Sequence, residues 1–109
     1  MNVPERPSES EAEARARARA LLEATHTFPC AYSVTVIAFN QEAVTAAVRE
    51  AAYVVAGDDD AAGGATYLSQ ESSAGKYRSH RLAVRVIDAE AVLALYARLR
   101  SVDGVVTLL

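Results

Sequence analysis

The sequence predicts a small α+β domain, and three observations carry that prediction. Hydrophobic residues alternate with period two over Tyr32 to Phe39 and over Tyr77 to Ile87, as half-buried strands require. Val44, Ala47, Val48, Ala51 and Val55, and later Val92, Leu95, Tyr96 and Leu99, recur at three and four, the spacing of a helix with one buried stripe. The chain has 109 residues, room for a single two-layer core and no second one.

At the start, Met1 to Pro7 holds Pro4 and Pro7 among polar residues and is expected to be disordered. Ser8-Glu9-Ser10-Glu11 then offers two overlapping capping boxes, Ser8 with Glu11 and Ser10 with Glu13. Glu11 precedes Arg15, and Glu13 precedes Arg17, at the favourable helix spacing of four. Alanine fills the gaps, so a helix is expected from about Glu9 to Ala24. Its apolar face, Ala14, Ala18, Leu21 and Leu22, is too thin to build a core. Arg15, Arg17 and Arg19, interleaved with acids, read as a solvated face. Pro29 ends this segment by forcing Phe28 out of the α region. Residues 1–27 are therefore a disordered start and a variable helix, and the domain proper spans residues 28–109.

Within that domain Tyr32, Val34, Val36 and Ala38 are the expected core face of the first strand, with Ser33, Thr35, Ile37 and Phe39 opposite. Asn40 is a good N-cap for the helix that runs to about Ala56. Asp58-Asp59-Asp60 and Gly63-Gly64 mark a loop, and Thr66 to Glu71 reads as a short polar strand. Ser72-Ser73-Ala74-Gly75 is a hairpin turn, with glycine supplying the positive φ. In the long strand after it, Leu82, Val84 and Val86 face the core, and Tyr77, Ser79, Arg81, Ala83 and Arg85 face away. Asp88 caps the second helix, Asp103-Gly104 turns the chain, and Val105 to Leu109 closes it as a strand.

The order is β-α-β-β-α-β behind an additional helix. Two right-handed strand–helix–strand crossovers around a central hairpin give one compact solution, the ferredoxin-like sandwich: a four-stranded antiparallel sheet with two helices on one face. Two thin helical stripes use nearly all the large aliphatic residues, so the opposite sheet face is left open.

Phe28-Pro29-Cys30-x-Tyr32 leading into Val36-Ile37, then Ser72-Ser73-x-Gly75-Lys76-Tyr77-x-Ser79, then Tyr96-x-x-Leu99 before a last strand, resemble the YbeD-like family of small bacterial proteins of unknown function. The resemblance runs from about Phe28 to Leu109, and the Ser-Ser-x-Gly-Lys-Tyr-x-Ser block is its most specific part. The family is similar in fold to the ferredoxin-like regulatory modules called ACT domains. What the resemblance implies is a non-catalytic, regulatory, cytoplasmic protein. Thr35 stands where the family usually has a lysine in its first strand, and Ala38 where a glycine often ends it. No first-strand lysine site carries over to this chain.

Composition bounds the chemistry. Much of the 51% hydrophobic content is alanine, and a formal net charge of −3 argues against bulk nucleic-acid binding. No apolar run approaches the ~20 residues of a membrane span and no signal-peptide pattern opens the chain, so a cytoplasmic location is expected. One cysteine, Cys30, excludes an intramolecular disulfide and a multi-cysteine metal site. Gly75-Lys76 is no Walker loop, because Gln70 and Tyr77 stand where glycine and Ser/Thr are needed. Ser72, Ser73, Gly75, Lys76 and Arg78 nevertheless gather donors that are candidates to hold one small anion. Asp58-Asp59-Asp60 lacks the spaced ligands of a calcium loop. Neither metal nor cofactor is expected.

The open face is expected to present Ile37, Phe39, Tyr67, Tyr77, Arg81, Arg85 and Val105. Exposed aromatics with arginines suit a protein partner or a second copy of the chain. RNA stacking is the weaker reading, since the RNA-binding sheet motif is missing. The expectation is a binding or regulatory module, not an enzyme. The alternative is a small enzyme or RNA-binding module using Cys30 or the Ser72–Lys76 turn.

Overall fold

Three helices and one four-stranded antiparallel sheet make up the structure, a computed structural model that describes residues 10–57 and 65–109. Met1 to Pro7, the Ser8 capping box, Asp58-Asp59-Asp60 and Gly63-Gly64 lie outside the described residues. The elements run α1 (Glu11–Thr25), β1 (Cys30–Phe39), α2 (Glu42–Ala56), β2 (Ala65–Glu71), β3 (Tyr77–Val86), α3 (Ala89–Arg100) and β4 (Val105–Leu108). The sheet order is β2-β3-β1-β4, and each neighbouring pair is antiparallel. The α+β class read from the sequence is the one observed.

Helix starts follow the local chemistry with one exception. Ser10 Oγ accepts from the Glu13 N–H at 3.1 Å, and Asp88 Oδ1 accepts from the Ala91 N–H at 2.9 Å, as N-caps should. Asn40 does not cap α2. Its carboxamide donates to Glu71 Oε1 at 2.6 Å and to the Gly75 carbonyl at 3.0 Å, leaving Gln41 at the N-cap without a side-chain bond. The better cap is diverted to fasten the β2–β3 turn to the end of β1.

The core lies on one sheet face. Val34, Val36 and Ala38 from β1 and Leu82, Val84 and Val86 from β3 meet Val44, Val48, Ala51 and Ala52 of α2 and Val92, Leu95 and Leu99 of α3. Leu95 and Leu99 are fully buried, each contributing about 1.5–3 kcal/mol of burial free energy. The unbroken register from Cys30↔Val86 to Phe39↔Tyr77 keeps these sets in phase along both central strands.

Edge strand β4 breaks the alternation expected of it. Its register against β1 shifts between Ile37 and Ala38, a bulge that turns both Val105 and Leu108 toward the core. Val105 therefore belongs to the covered side, not to the open face. Leu109, past the strand end, still exchanges backbone hydrogen bonds with Thr35 at 2.8 and 3.0 Å.

Helix α1 buries no residue. Leu22 packs against the core cluster, whereas Leu21, expected on the same apolar face, is 65% exposed. Arg15 and Arg19, read as solvated, both reach Glu90 of α3. With all three side chains about half exposed, each pair contributes roughly 0–1 kcal/mol. This docking is weak.

Gly104 and Gly75 separate backbone strain from packing. Both have positive φ, 99° and 76°, but a Cβ on Gly104 would lie 2.6 Å from Val44 Cγ2, whereas one on Gly75 meets only ordinary contacts. Gly75→Ala should cost about 1–2 kcal/mol from the backbone alone. Gly104→Ala should lose that plus ~1–3 kcal/mol for overpacking against a buried valine. Denaturant unfolding of the two variants compares them directly, and equal losses would mean the Gly104 turn does not press on α2.

Candidate functional site

Because β1 and β3 bury one face, their other face is fixed by parity. Ala31, Ser33, Thr35, Ile37 and Phe39 pair there with Arg85, Ala83, Arg81, Ser79 and Tyr77, and no described element covers them. Phe39 and Tyr77 stack at 5.5 Å between ring centroids, with planes 28° apart. Leu68 of β2 and Leu109 extend the apolar surface, at 72% and 73% exposure. Arg81 and Arg85 stand among these groups without an ion-pair partner among the described residues. The face mixes this apolar and aromatic group with the small polar residues Ser33, Thr35 and Ser79 and the two arginines, although the chain is acidic overall.

At one end the face deepens into a depression of about 410 Å³ lined by Ile37, Gln70, Glu71, Ser72, Ser73, Tyr77 and Ser79. The predicted interface residues Ile37 and Tyr77 thus meet the predicted turn residues Ser72 and Ser73. The remaining turn residues do not converge there. Ser72 Oγ accepts from the Tyr77 N–H at 3.1 Å, and Lys76 Nζ sits 5.3 Å from the Tyr77 ring centre. Arg78 is on the opposite face, donating to Asn40 Oδ1 at 2.9 Å and to Ser69 Oγ at 2.8 Å. Gly75 gives the turn its positive φ and its carbonyl to Asn40.

Tyr67 is not on the open face. It pairs with Leu82, so its side chain falls on the helix side, half-buried, with its hydroxyl 2.6 Å from His80 Nδ1. Adjacent Tyr67 and Leu68 give β2 one large apolar residue of each parity, and only register against β3 decides which points inward. His80 is fully buried opposite Val36, its Nε2 without a hydrogen-bond partner among the described residues, and Arg49 of α2 lies 4.9 Å above the Tyr67 ring. Sequence reading missed this residue, although His80 shares the parity of Leu82 and Val84.

Cys30 is half-buried against the core at the start of β1, opposite Val86. The two histidines are engaged elsewhere: His26 Nδ1 lies 2.9 Å from Thr25 Oγ1 and its ring against Tyr32, while His80 meets Tyr67. Tyr32 and Tyr96 share a hydroxyl contact of 3.0 Å, and burial together with that bond pushes the Tyr96 phenol up to about 12. It stays protonated at neutral pH. Among the described residues no cluster of His, Cys, Asp and Glu is placed to hold a metal, and no helix is long and apolar enough to cross a membrane.

Burial, and secondarily the Arg78 charge, hold the His80 pKa below its ordinary 6.5. The unfolded chain therefore takes up a proton that the folded chain resists, so this contribution is complete above about pH 6.5 and is lost as pH falls toward the folded pKa. Urea unfolding at pH 7.5 and pH 5 should show a lower midpoint at pH 5, with a smaller difference in His80→Gln. An equal difference in the variant would place the acid sensitivity elsewhere.

A family model described as "Protein of unknown function (DUF493)" matches residues 23–109. No curated protein and no solved structure matches the chain. The matched stretch takes in all four strands, α2 and α3, and with them the whole open face, while nearly all of α1 lies before it. The chain belongs to this family, DUF493, whose function is unknown.

Proposed function

We propose that the chain is a non-catalytic binding module that acts by holding a partner protein on its open sheet face. In this reading the domain is ferredoxin-like and YbeD-like, similar to ACT regulatory domains, and works in the cytoplasm. The strand order β2-β3-β1-β4 with both core helices on one side supports the ferredoxin-like assignment.

The observation that carries the function is the chemistry of the bare face. Ile37 and the stacked Phe39–Tyr77 pair form an apolar cluster at the hairpin end of the face. Arg81 stands next along it opposite Thr35, Arg85 stands toward the far end opposite Ala31, and neither arginine has an ion-pair partner among the described residues. Aromatic residues and arginine dominate the energetics of protein interfaces. The complementary surface is apolar with acidic residues at its rim. Phe39 and Tyr77 stack on one another, which leaves their ring faces less free for bases and favours protein over RNA. A small anion at the hairpin gains less support, since Arg78 and Lys76 are engaged within the fold.

A photo-crosslinking residue at position 39 should give an adduct with another protein in cells, and one at exposed Ala97 on α3 should not. Arg81→Glu should weaken that adduct about tenfold without moving the melting midpoint. Equal adducts from both positions, or none from position 39, would end the proposal.

A further inference from the structure

The sheet's two edges are built differently. β4 is four residues long and carries the bulge, both of which discourage pairing with another strand. β2 has seven residues, no proline and no lysine, and an unbroken register from Ala65↔Val84 to Glu71↔Arg78. Among the described residues its outer edge carries no proline, lysine or bulge.

The hydrogen-bonding direction along that edge follows from the ladder. Thr35 exchanges backbone bonds with Leu109, so Thr35 and Ile37 point their amides toward β4, and Val34 and Val36 point theirs toward β3. Carried through β3, the alternation turns Thr66, Leu68 and Gln70 toward β3 and leaves the N–H and C=O groups of Ala65, Tyr67, Ser69 and Glu71 facing outward. Leu68 is the midpoint of the strand and its side chain is 72% exposed.

We propose that β2 pairs with β2 of a second copy, antiparallel about a two-fold axis at Leu68, through these outward backbone groups. In that register Tyr67 exchanges backbone bonds with Ser69 of the other copy, and Leu68 meets Leu68. The leucines form a non-hydrogen-bonded pair, the type in which side chains approach most closely. Thr66 falls opposite Gln70, and the carboxylate of Glu71 falls opposite Ala65, so no like charges meet. Each copy contributes four strands, and the pair forms a single eight-stranded sheet with both open faces on the same side. The two-fold symmetry is the reason a second copy fits better than an unrelated strand: it covers the exposed leucine with its own equivalent. This pairing uses an edge and, apart from Leu68, leaves the partner face of the proposed function free.

Sedimentation velocity over a micromolar concentration series tests it. The wild-type chain should move to a dimer as concentration rises, while Leu68→Lys and Leu68→Glu should each remain monomeric with unchanged melting midpoints. An equimolar mixture of the two variants should dimerise again, because the substituted residues face each other only across the axis. A wild-type monomer at every concentration overturns the proposal and leaves the edge to an extended segment of another protein. So does a dimer that survives both substitutions, or a mixture that stays monomeric. A dimer lost in Phe39→Asp but kept in Leu68→Lys overturns it too, assigning self-association to the open face instead.

Discussion

The structure depends on how few large aliphatic side chains the chain has and on which parity of β1 and β3 carries them. Val34, Val36, Leu82, Val84 and Val86 all point to one side of the sheet, and the stripes of α2 and α3 are wide enough to close that side only. Helix α1 does not cover the other side, because its Leu22 packs against the core cluster and its Arg15 and Arg19 pair with Glu90 of α3. The bare face is thus a consequence of that parity. Ile37, Phe39, Tyr77, Leu68 and Leu109 on that face stay outside the core, as do Leu21, Tyr53, Val54 and Ile87 elsewhere.

Polar chemistry in this fold sits mainly at the end of the sheet where the hairpin meets β1. Asn40, Glu71, Gly75, Ser69 and Arg78 form one hydrogen-bonded group there, and it holds the turn in place beside the depression on the open face. Of the residues with donors for an anion, Arg78 is bonded to the Asn40 and Ser69 side chains, Lys76 lies over the Tyr77 ring, and Ser72 receives the Tyr77 N–H. Tyr67 likewise satisfies one ring nitrogen of the buried His80, while the other has no partner among the described residues. These groups position the sheet, and the open face inherits its geometry from them.

Much of this architecture could be read from the amino acids, because strand parity and helical stripes are local signals. The two core strands, both core helices, the Asp88 cap and the Gly75 turn all follow from spacing alone. What spacing could not provide was register. Tyr67 changes faces because β2 is too polar to declare its own inner side. Val105 changes faces because a bulge interrupts β4, and nothing in Val105-Val106 marks where the extra residue falls. Asn40 has the composition of a cap, yet three-dimensional proximity to Glu71 and Gly75 offers it stronger partners. Each departure is a long-range contact overriding a local preference.

An open face requires unequal exposure of two sets of residues that alternate along the same strands. Methyl relaxation by a soluble paramagnetic probe, recorded on the native protein at low concentration, reads that inequality directly. The methyl groups of Thr35, Ile37 and Leu109 should relax strongly, while those of Val34, Val36, Leu82 and Val84 stay shielded. Ile37 and Thr35 as shielded as Val36 would show that something covers both sides of the sheet, and there would be no open face.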